Sequence, residues 1–252
     1  MNFSKLRTGL PVALALFIGG TSVVLSQTPA QNGEGLAAAL SAASSGDWES
    51  AAQIAAQNQD PIAVEVIEWT RLRDGTGDFV EYEAFLKTNS DWPGLPLLQK
   101  VSEKSIPPDL DPQRVINYFA AQRPQTGWGA LRLGLAYEQL GRHAEAAVEI
   151  KRAWAEFSIS QAEQDALLEA FPKTLKSQHA NRLDALLWRR KVTEAGRMLS
   201  LVSPSERQLA EVRNALQLDK NGVDAMISAL PEASQNAAGL AIDRFRWRVS
   251  KD

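Results

Sequence analysis

Residues 130–153 read ALRLGLAYEQLGRHAEAAVEIKRA, and the order of large and small residues in this stretch decides the fold. Leu133, Gly134 and Tyr137 fall on one helical face, and Ala146 and Ala153 recur on a second. Gly141 separates the two runs and suits the left-handed residue that ends a helix. Gly134 and Ala146 are small enough to let two helices approach closely, and Tyr137 fills the groove between them. The stretch is therefore a pair of antiparallel helices joined by a tight turn.

These spacings are those of a tetratricopeptide-type hairpin. Working outward, Gly46-x-Trp48-x-x-Ala51 matches Gly141-x-His143-x-x-Ala146, and a third copy lies at Leu187 to Leu199, around Ala195. The copies are unevenly spaced, so the chain is no strict 34-residue array. Leu36, Ala39, Leu40 and Ala43 mark another helical face. Asp47, Asp60-Pro61 and Asp111-Pro112 are helix starts, and Asp78-x-x-Glu81, Ser160-x-x-Glu163 and Ser203-Pro204-x-Glu206 are capping boxes. Gly75, Gly77, Gly127, Gly129 and Gly222 punctuate further boundaries. No segment alternates as a strand does. The pattern predicts about a dozen helices of roughly 10–16 residues with short turns. It predicts an all-α fold, an α-solenoid or superhelix of stacked antiparallel helix pairs, tetratricopeptide-like in part.

The chain has 252 residues, with 44% hydrophobic and 23% charged, an ordinary globular composition. A formal net charge of −3 gives no global electrostatic case for nucleic acid. The absence of Cys removes disulfides, thiolate metal sites and Cys nucleophiles from consideration. Residues 1–26 have the plan of a cleavable secretory signal: Lys5 and Arg7, then an uncharged run from Leu10 to Leu25. Cleavage is expected before Gln27 or, as the alternative, after Ala30. The apolar run is interrupted by Gly19-Gly20-Thr21-Ser22 and is short for a membrane span. No Cys follows it to carry a lipid. The expectation is an exported, mildly acidic periplasmic protein whose α-superhelical domain covers residues 27–252.

Motifs for chemistry are sparse. There is no G-x-S-x-G, no Ser-x-x-Lys, no phosphate-binding glycine loop and no H-E-x-x-H. Gly75-Thr76-Gly77 lacks the third glycine of a dinucleotide loop, and Asp109-Leu110-Asp111 starts like a calcium loop but continues with Pro112. Glu65 with Glu68, Glu81 with Glu83, and Glu163 with Asp165 are carboxylate pairs by sequence only. No residue is assigned a catalytic, cofactor-binding or metal-binding role. Of the seven Trp, Trp69, Trp154 and Trp188 sit among apolar neighbours and are expected to pack. Trp92, beside Pro93-Gly94, and Trp128, between two glycines, are left open between packing and exposure for sugar stacking. Arg189-Arg190-Lys191 and Arg244-x-Arg246-x-Arg248 are read first as helix-end charges, with an anionic cell-wall polymer as the alternative. His143 and His179 are expected on surface turns.

Four stretches carry a resemblance: DPIAVEVIEWTRLRDGTGDFVEYEAFLKTNSDWPGLPLLQKVSE at 60–103, NRLDALLWRRKVTEAGRML at 181–199, QLAEVRNAL at 208–216 and GLAIDRFRWR at 239–248. Together they resemble the N-terminal superhelical half of soluble lytic murein transglycosylases of the alphaproteobacterial type. The resemblance implies a U-shaped α-superhelix, a peptidoglycan partner and a lysozyme-like domain elsewhere that cleaves the glycan with one Glu. The family's Glu-Ser-x-Phe-like and Gly-Leu-Met-Gln-like motifs are not found here, so no catalytic residue is carried over. The resemblance implies a domain that is inactive alone. Arg244 to Asp252 reads like the interior of a helix pair with no polar capping repeat to close the stack, so the domain is expected to be incomplete at its C-terminal end. A free-standing periplasmic tetratricopeptide-like scaffold for a protein partner is the alternative.

Overall fold

Helix starts and stops are written locally in this chain, and each capping signal forms as the chemistry requires. Asp78, Ser160 and Ser203 each accept from the backbone N–H three residues on, while Glu81, Glu163 and Glu206 reach back to the cap's own N–H. Asp47 and Asp111 cap in the same way through the N–H groups of Ser50 and Arg114. The computed structural model describes residues 29–58 and 60–251, and it has sixteen α-helices, one 3₁₀ turn and no strand among them. The chain is all-α. The leader expected over residues 1–26 and its cleavage point before Gln27 lie outside the described residues.

Two compact units divide the chain between Val64 and Glu65. In the first, α1 (Pro29–Ser44) packs against α2 (Trp48–Gln57) through Ala39, Ala43, Ala51 and Ala55, all buried. Helix α3 (Pro61–Arg73) contains the boundary.

The second unit continues with α4 (Phe79–Thr88), α5 (Leu95–Ser102), the 3₁₀ turn Glu103–Ser105 and α6 (Pro112–Tyr118). The hairpin read from residues 130–153 is α7 (Gly127–Gln139) and α8 (His143–Glu156). Next come α9 (Gln161–Ala170), α10 (Pro172–Lys176), α11 (His179–Trp188), α12 (Val192–Met198) and α13 (Pro204–Gln217). The last three are α14 (Val223–Ser228), α15 (Glu232–Gln235) and α16 (Ala238–Val249). The count exceeds the expected dozen because α10, α14 and α15 are one- or two-turn helices of four to six residues. Segments that short hold fewer than two helical periods, too few for an apolar face to recur.

Packing follows chain order. Leu72, Tyr82, Phe85 and Leu98 make one buried cluster, and Phe79, Ile106, Val115 and Leu133 the next. The largest gathers Ile150, Trp154, Leu167, Leu186 and Met198, and Val212, Leu216, Ile227 and Leu240 close the series. The small-residue reading holds at Gly134, where an added Cβ would stand 2.7 Å from Ile150 Cδ1 and 3.1 Å from Phe171. The turn after α7 is a Schellman motif: Arg142 N–H donates to Tyr137 O at 2.8 Å and Gly141 N–H to Glu138 O at 3.0 Å, with Gly141 at φ 70°. The same two bonds close α1 around Gly46 and α11 around Arg190, the latter non-glycine at φ 57°. In all three copies the alanine five residues later, Ala51, Ala146 or Ala195, is fully buried. The boundary read at Gly127 and Gly129 is the start of α7: Thr126 is its N-cap and both glycines lie in its first turn.

Candidate functional site: two grooves beside helix α6

Residues 116–123 form a wall with an open groove on each side. Helix α6 starts at the Asp111-Pro112 signal, and Val115 and Phe119 anchor it in the core. That anchoring leaves successive pairs of residues facing opposite ways. Ile116, Phe119 and Arg123 face a groove of about 470 Å³ whose other wall is Leu133, Tyr137 and Val148 on α7 and α8. Asn117, Tyr118 and Gln122 face a second, of about 440 Å³, closed by Glu83, Lys87 and Ser90.

The two grooves differ in chemistry. The first is apolar with a charged rim. Glu149, almost fully buried, accepts from Arg123 at 2.6 Å and from Arg152, and Arg142 lies over the Tyr137 ring at 4.6 Å. The second carries amides, a hydroxyl, a carboxylate and an ammonium around Leu86 and Leu95. Glu83 is held by Arg114, and Tyr118 by Ser102. Burial pushes the Tyr118 phenol up to about 12, so it stays a neutral hydrogen-bonding group at physiological pH.

Under the wall lies Glu103, which has no exposed surface. Its carboxyl accepts from Gln125 N–H and Thr126 N–H, both at 2.7 Å, and from the Thr126 hydroxyl. Burial pushes its pKa up to about 7 against these hydrogen bonds. A carboxyl titrating near neutrality has the proton affinity wanted of a general acid. Here, however, both oxygens are taken, and Glu103 lines neither groove. It serves as a cap on the positive end of α7. No local signal marks it, because its partners stand 22 and 23 residues further along the chain.

Five of the six carboxylates in these pairs are held by other partners. Glu68 and Glu81 both meet Arg71, at 2.8 and 2.7 Å, and Glu83 meets Arg114. Glu163 closes its capping box and also accepts from Trp128 N–H at 3.1 Å, while Asp165 accepts from Gln161. Among the described residues no group of three or more His, Asp or Glu side chains is placed to hold a metal ion.

The tryptophans need one correction. Trp154 is fully buried and Trp69 partly so, but Trp188 is 44% exposed, with Arg213 5.3 Å from its ring. It is the last residue of α11, where the helix face turns out of the core. Trp92 packs edge-on to Phe85 at 5.5 Å and near Trp69 at 6.1 Å, and Trp128 packs partly against the main core, so neither is a free stacking platform. Arg189 donates to Ala155 O and Glu156 O at 2.9 Å, closing the end of α8, and Arg190 donates to Gln217 O at the end of α13. Arg246 and Arg248 stand exposed in the last turn of α16. His143 is exposed beside Glu138, whereas His179 is half-buried against Trp154, where desolvation lowers its pKa. Comparison with protein families, with curated proteins and with solved structures returns no match to this chain.

Proposed function

We propose that this chain is a non-catalytic helical domain of the bacterial cell envelope. It is the superhelical part of a soluble lytic murein transglycosylase, exported to the periplasm by its leader. Stacked helix pairs hold peptidoglycan there, and a lysozyme-like domain outside these residues cleaves the glycan. The observation that carries the reading is the polar groove beside α6. Amino sugars present hydroxyl and acetamido groups around apolar ring faces. Asn117, Gln122, Ser90, Lys87 and Glu83 around Leu86 and Leu95 offer matching partners. The resemblance of four stretches of the sequence to that family adds support.

The test is cosedimentation of the chain with purified peptidoglycan sacculi, with a zymogram on the same material. The reading expects saturable retention without a clearing zone. Asn117→Ala with Gln122→Ala should weaken retention about tenfold, the loss of one or two net hydrogen bonds. Absence of retention overturns the binding role, and a clearing zone overturns the non-catalytic one. A second reading, a tetratricopeptide-like scaffold for a protein partner, draws on the apolar groove of Phe119, Leu133, Tyr137 and Val148. Saturable binding of a protein with no retention on sacculi would favour it.

A further inference from the structure

A third groove, of about 480 Å³, lies between α12, α13 and α14 and shares no residue with the two beside α6. Val192, Leu199, Leu218 and Met226 make its apolar lining, and no aromatic ring is among its lining residues. Gly196 is its open floor: a Cβ added there would meet nothing within 4 Å. The Asn214 carboxamide also lines it. This side chain is nine-tenths buried, its Oδ1 is shut off from solvent, and it makes no hydrogen bond among the described residues. With Oδ1 out of reach, the Nδ2 group is the end of this amide left to donate to a ligand carbonyl in the groove.

Charge sets the direction of that ligand. Glu211, Asn214, Ala215 and Leu218 follow one another along one face of α13, and Lys220 and Asn221 stand just past its end. Glu211 and Lys220 form no ion pair among the described residues, and both are exposed. From Glu211 to Leu218 the helix rises about 10 Å, the length of roughly three extended residues. The groove thus offers a carboxylate, then a buried amide over an apolar floor, then an ammonium.

The geometry points to a binding site for a short extended peptide: amino end at Glu211, apolar side chain over Gly196, backbone carbonyl at the Asn214 Nδ2 group and carboxylate at Lys220. A glycan is the less suitable occupant, because the groove has an aliphatic lining and no aromatic face for a sugar ring. The adaptable Met226 suits an aliphatic side chain of variable shape.

The probe is the tripeptide Ala-Leu-Ala with free termini, titrated into the labelled chain and followed by the Met226 methyl and Asn214 amide resonances. The expected result is saturable shifts of both. Asn214→Ala should weaken binding about tenfold, and acetylating the amine or amidating the carboxylate should each weaken it severalfold. Gly196→Phe fills the floor without touching the core and should abolish the shifts while the helical circular dichroism is kept. Lys220→Glu should weaken binding of the free acid and spare the amide, a second reading should Gly196→Phe misfold. Lack of saturation up to about 10 mM, equal binding of the blocked peptide, or displacement of the same resonances by N-acetylglucosamine oligomers overturns the assignment.

Discussion

Gly129→Ala decides whether Glu103 sits where the structure places it. Helix propensity alone favours alanine over glycine by up to about 1 kcal/mol, so on secondary structure the variant should gain stability. The tertiary structure reverses the sign. A Cβ on residue 129 would stand 2.6 Å from the Glu103 carboxyl carbon and 3.0 Å from its Cγ, well inside contact distance. Glu103 has no exposed surface and so no route to water. Displacing it breaks its bonds from Gln125 N–H, Thr126 N–H and the Thr126 hydroxyl. Above pH about 7, where Glu103 is a carboxylate, hydrogen bonds to it are worth about 1.5–3 kcal/mol each. Loss of two, offset by the helix gain, leaves a net cost of about 2–5 kcal/mol. Urea titration followed by far-ultraviolet circular dichroism measures it. In a Glu103→Ala background the added methyl has room, and Gly129→Ala should then be neutral or stabilising. A coupling of about 2 kcal/mol or more between the two sites is expected. If Gly129→Ala raises the urea midpoint, or costs the same in both backgrounds, the close approach of Glu103 to α7 is wrong.

Three further outcomes follow from other parts of the fold. The Glu103 carboxyl has a folded pKa of about 7 against an ordinary 4.5, so the folded state holds the proton more tightly. Its contribution, on the order of 3 kcal/mol, is present below pH about 4.5 and is lost as the pH rises through about 7; urea midpoints across that range should lose this component in Glu103→Gln. Arg213 is buried and donates at 2.8 Å to both Asp243 and Asp184, so Arg213→Ala strands the buried Asp243 carboxylate; a loss of about 3–5 kcal/mol is expected, with part recovered by adding Asp243→Ala. Trp154→Ala should cost about 3–5 kcal/mol and the exposed Trp188→Ala far less, about 1 kcal/mol, and equal thermal shifts would refute the assigned burial.

Helices, caps and turns were legible from residue order because each depends on groups within five residues of one another. The hydroxyl or carboxylate at Ser160, Ser203 and Asp78 reaches its own first turn, and the left-handed residue at Gly46 or Gly141 closes its own helix. The alanines at 51, 146 and 195 betrayed the close-packed hairpins for the same local reason, their fixed distance from the turn. Tertiary structure decided everything that depends on distant partners. It buried Glu103 under residues 125 and 126, spent Arg189 and Arg190 on the ends of helices some thirty residues away, turned Trp188 outward and drew Trp92 into the core. The grooves belong to this second group. They exist only where three helices meet, and the buried Asn214 amide has a chemical meaning only beside the open floor at Gly196. Local order sets which backbone groups a helix satisfies. The free energy of burying a charge or an amide is set by side chains from far along the chain, which no short-range pattern encodes.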